Sequence, residues 1–182
     1  MSAENIELQP LPVGVLGRPH GVRGELVYHP HNPHGVRLEA LKFPFAAFLG
    51  GDPRGGPNAH AATTPVRLAG ARSFQDGALV RLEGIVDRDA AAAFTNRELL
   101  VPRGVLPPLA PGEFYVADLV GCAVFDLTGG PRGTVVGAYW NGHQDVVAVQ
   151  GPDGAELLFP AVPEFLHEVD LGARRLVIDD HE

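Results

Sequence analysis

Among 182 residues there is one cysteine (Cys122), one lysine (Lys42), one tryptophan and two serines (Ser2 and Ser73). A lone cysteine excludes an internal disulfide framework and fits a reducing cytoplasm. With apolar Val120 and Ala123 nearby, Cys122 reads as a small buried hydrophobe rather than a thiol nucleophile. Neither serine stands in a GxSxG elbow, which removes the usual hydrolase arrangement. No uncharged apolar run reaches the roughly 18 residues of a membrane span. The opening MSAENIELQPLP lacks the basic and apolar blocks of a secretory signal. The expectation is a soluble, cytoplasmic chain with no membrane association.

Positive charge is scarce as well. Fourteen Lys+Arg stand against 22 Asp+Glu, a net charge of −8 with a pI near 5.4. Proteins that hold nucleic acid by neutralising phosphates present a basic stripe. Here the basic residues are almost all arginines spread along the chain. Diffuse adhesion to RNA is therefore not expected, while local arginine contacts or a basic protein partner fit the charge balance.

What is abundant is glycine (23) and proline (17), with 45% hydrophobic residues. Short β-like runs recur: VGVLG (13–17), ELVYH (25–29), FPFAAFLG (43–50), PVRLAGAR (65–72), ALVRLEG (78–84) and RELLVP (97–102). Two stretches between them read as helices. NPHGVRLEALK (32–42) has Asn32 as a candidate N-cap and Pro33 at the first helical position. DRDAAAAFTNRE (87–98) starts at Asp87 and carries an alanine run. GGDPRGGPNAHAATT (50–64) reads as a mobile loop. VPRGVLPPLAPGEFY (101–115), with four prolines and two glycines, resists both helix and central strand and marks a linker. Beyond it AVFDL (123–127), RGTVVGAYW (132–140), DVVAVQ (145–150), AELLFPAV (155–162) and RRLVID (174–179) are separated by TGG, NGHQ and GPDG turns. The fold class expected is mainly β: two small antiparallel β-barrels joined by a Pro-rich linker, with a few short helices.

No catalytic constellation emerges. GVLGRPHGVRGE (14–25) invites a phosphate-loop reading, yet Gly17, Gly21 and Gly24 are spaced GxxxGxxG and lead into a strand. No Gly-Lys-Ser/Thr follows, and no helix N-terminus is available to bind phosphate. These glycines instead let a barrel strand reverse tightly. The turn then presents Arg18, His20 and Arg23 at the surface, able to meet RNA phosphates or an acidic protein. His29, His31 and His34 in YHPHNPH read as a solvated turn rather than a metal set, since Pro30 and Pro33 interrupt them. Asp87, Asp89, Asp179 and Asp180 read as capping and solvated carboxylates. Neither a metal nor a cofactor is expected, and the chain is not expected to be an enzyme.

A recognition protein remains, and PVGVLGRPHGVRGELVYHP resembles the opening motif of the bacterial ribosome maturation factor RimM family. Three further stretches agree in order. LEGIVDRDAAAAFTNRELLVPR is similar to the segment closing the family's N-terminal domain, and GEFYVADLVGCAVFD to its linker exit. RGTVVGAYWNGHQDVVAVQ and ELLFPAVPEFLHEVDLGARRLVI resemble the strands of its C-terminal PRC-barrel domain. The resemblance implies a six-stranded N-terminal barrel over 8–103, a linker over 104–112 and a PRC barrel over 113–180. It also implies a non-enzymatic factor that assists maturation of the small-subunit head and rRNA processing. The partners implied are the immature small subunit and a basic head protein, the nineteenth of that subunit, held by the C-terminal domain. Local rRNA contacts and a monomeric state complete the expectation. Carried residue by residue, the resemblance places subunit binding at Phe114 and Tyr115. Phe114 stands where the family commonly has Tyr, and Val116 where a Trp often follows. Adjacent aromatics on a strand face opposite ways, so one can anchor the linker while the other reaches a partner. The alternative is that both are core. Two competing functions are a PRC-barrel adaptor in a non-ribosomal assembly and an RNA-modifying enzyme.

Overall fold

The computed structural model describes residues 10–53, 63–109, 113–141 and 143–179. The chain divides into two units, one spanning Leu8–Pro108 and the other containing Leu109–Glu182. The 54–62 part of the glycine-rich loop, linker residues 110–112 and Asp180 lie outside the described residues.

The first unit contains β1 (Leu11–His20), β2 (Glu25–Pro30), β3 (Phe45–Leu49), β4 (Thr64–Phe74), β5 (Gly77–Leu82) and β6 (Arg97–Val101). They close into a barrel in the order β1-β2-β5-β4-β3-β6, with every pair antiparallel. Two-residue periodicity decides which side chains enter. In β3, Phe45, Ala47 and Leu49 are buried while Ala46 is exposed. Leu16, Leu26, Leu49, Leu68, Val80 and Leu99 are fully enclosed, each contributing about 2 kcal/mol of apolar burial. Tyr28 joins them, and its hydroxyl donates to the Val13 carbonyl at 2.7 Å. That bond satisfies a group whose burial pushes the phenol pKa up. Gly14 permits a close approach between β1 and β2. A Cβ there would lie 2.3 Å from the His29 carbonyl oxygen and 2.6 Å from the Tyr28 ring.

Arg97 gathers the two ends of the long loop. Its guanidinium donates to the carbonyls of Gly50 and Leu49 and to the Thr64 hydroxyl. A helix starts at Asp87 as expected: α1 covers Arg88–Ala92, and the Asp87 carboxylate accepts from the Ala90 N–H at 2.8 Å. It ends before β6, so the helix is shorter than the 87–98 stretch. The helix expected over 32–42 does not form; only a 3-10 turn at Leu38–Ala40 is present. The Asn32 carboxamide oxygen accepts from the His34 N–H at 2.7 Å, and the Asn32 carbonyl accepts from the Gly35 N–H. This local turn competes with the helix, and a segment of that length carries too little propagation to overcome it.

The second unit opens with a 3-10 turn at Val116–Leu119. Then follow β7 (Ala123–Asp126), β8 (Pro131–Trp140), β9 (Asp145–Gln150), β10 (Glu156–Pro160), β11 (Leu166–Asp170) and β12 (Arg175–Ile178). They form a six-stranded sheet in the order β10-β9-β8-β7-β12-β11. Most neighbours pair antiparallel, as the meander pattern implies, but β7 and β12 run parallel. A parallel pair needs a long connection, and here it joins the first strand of the unit to its last. β11 was absent from the strands read off the sequence. LHEVD has one buried residue, Leu166, and mostly exposed neighbours, too polar a run to signal a strand. Leu119, Cys122, Val124, Val135, Val147, Val149, Leu176 and Ile178 make the core. Cys122 is fully buried, and burial pushes its thiol pKa up, consistent with a packing role. The mainly β class holds in both units. Among the described residues no helix is long and apolar enough to cross a membrane.

Candidate functional site

The residues singled out in the sequence fall on two surfaces. On the barrel, the β1–β2 turn occupies residues 21–24. Gly21 and Gly24 adopt φ of +64° and +73°, backbone that favours glycine. Gly24 is also pressed against the chain leading to α1: a Cβ there would lie 2.8 Å from the Ile85 carbonyl oxygen. Gly17 sits within β1 rather than in the turn, against the His29 ring. Arg18 and Arg23 are exposed. His20 is half-buried, its ring 4.8 Å from that of Phe74 on β4. It is therefore in part a packing residue.

The close packing of Gly24 on Ile85 brings two apolar side chains missed in the sequence to this end of the barrel, Val22 (80% exposed) and Val86 (74%). Beside them runs an open cleft of about 760 Å³, lined by Arg23, Arg72, Arg81 and Gly70 among others. Two of the nearby carboxylates already hold arginines. Arg72 donates twice to Glu25, at 3.0 and 2.9 Å, and Arg67 lies 2.8 Å from Glu83. The Arg72 hydrogen bond holds the Glu25 carboxyl below its ordinary value.

The three clustered histidines separate in the fold. His31 Nε2 lies 2.5 Å from Oε1 of the buried Glu98 on β6, while His29 packs over Gly17. Among the described residues no group of three or more His, Cys, Asp or Glu side chains is placed to hold a metal ion.

On the second unit, Phe114 and Tyr115 lie just before the 3-10 turn, not on a strand. Both are half-buried. Phe114 packs against the core and lines an open groove of about 660 Å³ with Val162, Leu166 and Leu171. The Tyr115 carbonyl accepts from the Asp118 N–H at 2.8 Å, closing the first turn. Neither aromatic is fully enclosed.

The units also differ in charge. Residues 1–112 carry 11 Lys+Arg and 10 Asp+Glu, whereas 113–182 carry three arginines against 12 acidic residues. The whole deficit of positive charge thus belongs to the C-terminal unit, a signal available by counting each side of the linker.

Comparison with known proteins places both units. The model described as RimM N-terminal domain matches residues 11–106, and that described as RimM PRC barrel domain matches residues 116–182. A ribosome maturation factor RimM of Nocardioides sp. is 38% identical over 172 residues, covering 92% of this chain and 89% of that protein. The Thermobifida fusca protein of the same name is 36% identical, covering 93% of each chain. That of Cupriavidus metallidurans is 33% identical, covering 92% of this chain and 78% of its own. With one model matched to the barrel, the other to the acidic sheet and relatives aligned through both, the chain belongs to the ribosome maturation factor RimM family.

Proposed function

We propose that this chain is a non-enzymatic factor in assembly of the small ribosomal subunit, acting in maturation of its head and in processing of its rRNA. The observation that carries this reading is the match of both RimM domains, in order, across nearly the whole chain. The relatives cited bear the name ribosome maturation factor.

The charge division assigns work to each unit. The C-terminal unit, with its excess of nine carboxylates over arginines, attracts a basic protein and disfavours bare RNA phosphate. It holds the basic head protein, the nineteenth of the small subunit, with Phe114 and Tyr115 as aromatic anchors. The charge-balanced barrel engages the immature subunit through the 21–24 turn, with Arg18, His20 and Arg23 making local contacts to rRNA phosphates. The protein works in the cytoplasm as a monomer, over domains 8–103 and 113–180 joined by the 104–112 linker. It uses no cofactor.

Sedimentation of the purified protein with ribosomal particles tests this. It should travel with free small subunits. Co-migration with complete ribosomes alone, or with no particle, overturns the reading.

A further inference from the structure

The groove beside Phe114 sits at an unusual place in the sheet. β11 ends the strand order and, among the described residues, pairs only with β12. Ala161, Val162 and Pro163, which belong to no described strand, line the groove together with β11 residues. The floor is apolar: Phe114, Val162, Leu166 and Leu171. Val169, Glu113, Glu168 and Asp170 complete the lining, and the three carboxylates are exposed. An edge strand beside an apolar trough accepts an extended backbone, whose alternate side chains divide between the two environments.

We infer that this groove takes an extended, basic segment of a protein partner, added as a strand against β11. Apolar residues at alternate positions of the segment would sit over Phe114, Leu166 and Val169, while the intervening Lys or Arg residues meet Glu113, Glu168 and Asp170. Charge selects this occupant. The unit's 12 acidic residues against three arginines repel nucleic acid and acidic peptides. The arginine nearest the rim, Arg175, bonds Glu168 at 3.0 Å where both side chains are exposed, and such a surface pair is readily exchanged. Asp170 uses Oδ1 to accept from the Ala173 N–H and stands exposed at the groove. The inference deepens the assignment of the basic partner to the C-terminal unit and rests on it.

The test uses the full chain and a capped synthetic peptide of about ten residues alternating valine and lysine, long enough to cover one strand. Backbone amide NMR should show shifts confined to 113–114 and 161–171, with slowed exchange of β11 amides. Glu168→Lys combined with Asp170→Lys should weaken binding about tenfold. Glu113→Lys, which lies off β11 and leaves its hairpin untouched, should weaken it in the same direction. A valine–glutamate peptide should not bind. Shifts spread over the acidic surface, wild-type affinity in both lysine variants, or preferential binding of an RNA oligonucleotide in the groove would overturn the inference. Sedimentation separates this from the assembly reading. If wild type and the Glu168→Lys/Asp170→Lys variant travel equally with small subunits, the groove inference fails and the assembly role stands. If the peptide binds the groove but the protein meets no ribosomal particle, the assembly role fails and the groove stands.

Discussion

In the N-terminal unit six strands close on themselves, so each has two hydrogen-bonded neighbours. In the C-terminal unit β10 and β11 end the strand order with one neighbour each. Closure removes the edges along which another backbone could pair, so the barrel offers partners only turns and side chains. Its outward features are accordingly a glycine turn, protruding Val22 and Val86, and arginines balanced by carboxylates. The sheet keeps edges and exposes Leu157 and Leu158 on β10, in a unit with nine more carboxylates than arginines. Six strands thus yield a surface without backbone edges in one unit and a surface with them in the other.

The sharpest way to break this contrast is through the cores. Leu16→Ala should destabilise the barrel by about 2–5 kcal/mol, and Leu176→Ala should do the same to the sheet, because both side chains are fully enclosed. Amide hydrogen exchange, read strand by strand, checks each. A loss below 1 kcal/mol in either would show that its packing is looser than the burial implies.

Next in size, Phe114→Ala and Tyr115→Ala should each weaken binding to small subunits by about 1–2 kcal/mol, the range of aromatic anchors. Circular dichroism should remain that of the folded protein. Arg23→Ala on the barrel should cost less and lose its effect as salt rises, since exposed charge is screened. Equal salt sensitivity of the two surfaces would erase the distinction between them.

Asp87→Ala should remove about 1 kcal/mol of stability by deleting the cap of α1, measured by urea unfolding. Asp87→Asn should retain most of it.

The smallest effect concerns Glu25. Hydrogen bonding to Arg72 holds its carboxyl below the ordinary value of 4.5. The stabilisation is therefore present above pH 4.5 and is lost as pH falls through the lower, folded-state value. Glu25→Gln should lower stability slightly at neutral pH and not at all in strong acid. Unfolding curves at the two pH values check the sign. The sheet carries a dependence of the same sign at Asp126 on β7, whose carboxyl is held below its ordinary value by hydrogen bonds from Thr128 and the Gly130 N–H.

Much of this fold was legible in the residues. Apolar alternation between Gly, Asn, Asp and Pro located eleven of the twelve strands among the described residues, and Asp87 marked the start of α1. The failures share a cause. Asn32 and Pro33 have the chemistry of a helix start, yet the Asn32 side chain and carbonyl found nearer partners in His34 and Gly35. β11 was missed because an edge strand in contact with solvent on most of its length carries no apolar signature. The turn glycines were placed well at 21 and 24, whereas Gly17 serves the packing of His29 across the barrel, a contact between strands that spacing does not reveal.

Composition and local pattern by themselves determined the β class, the turns and the acidic character, because each depends on neighbouring residues or a simple count. The tertiary structure decided the rest. Closure of β1 on β6, the parallel pairing of β7 with β12, and the meeting of Phe114 with β11 all join residues far apart in the chain. Such contacts depend on burying one apolar face against another, and the partner face is chosen only when the whole unit packs.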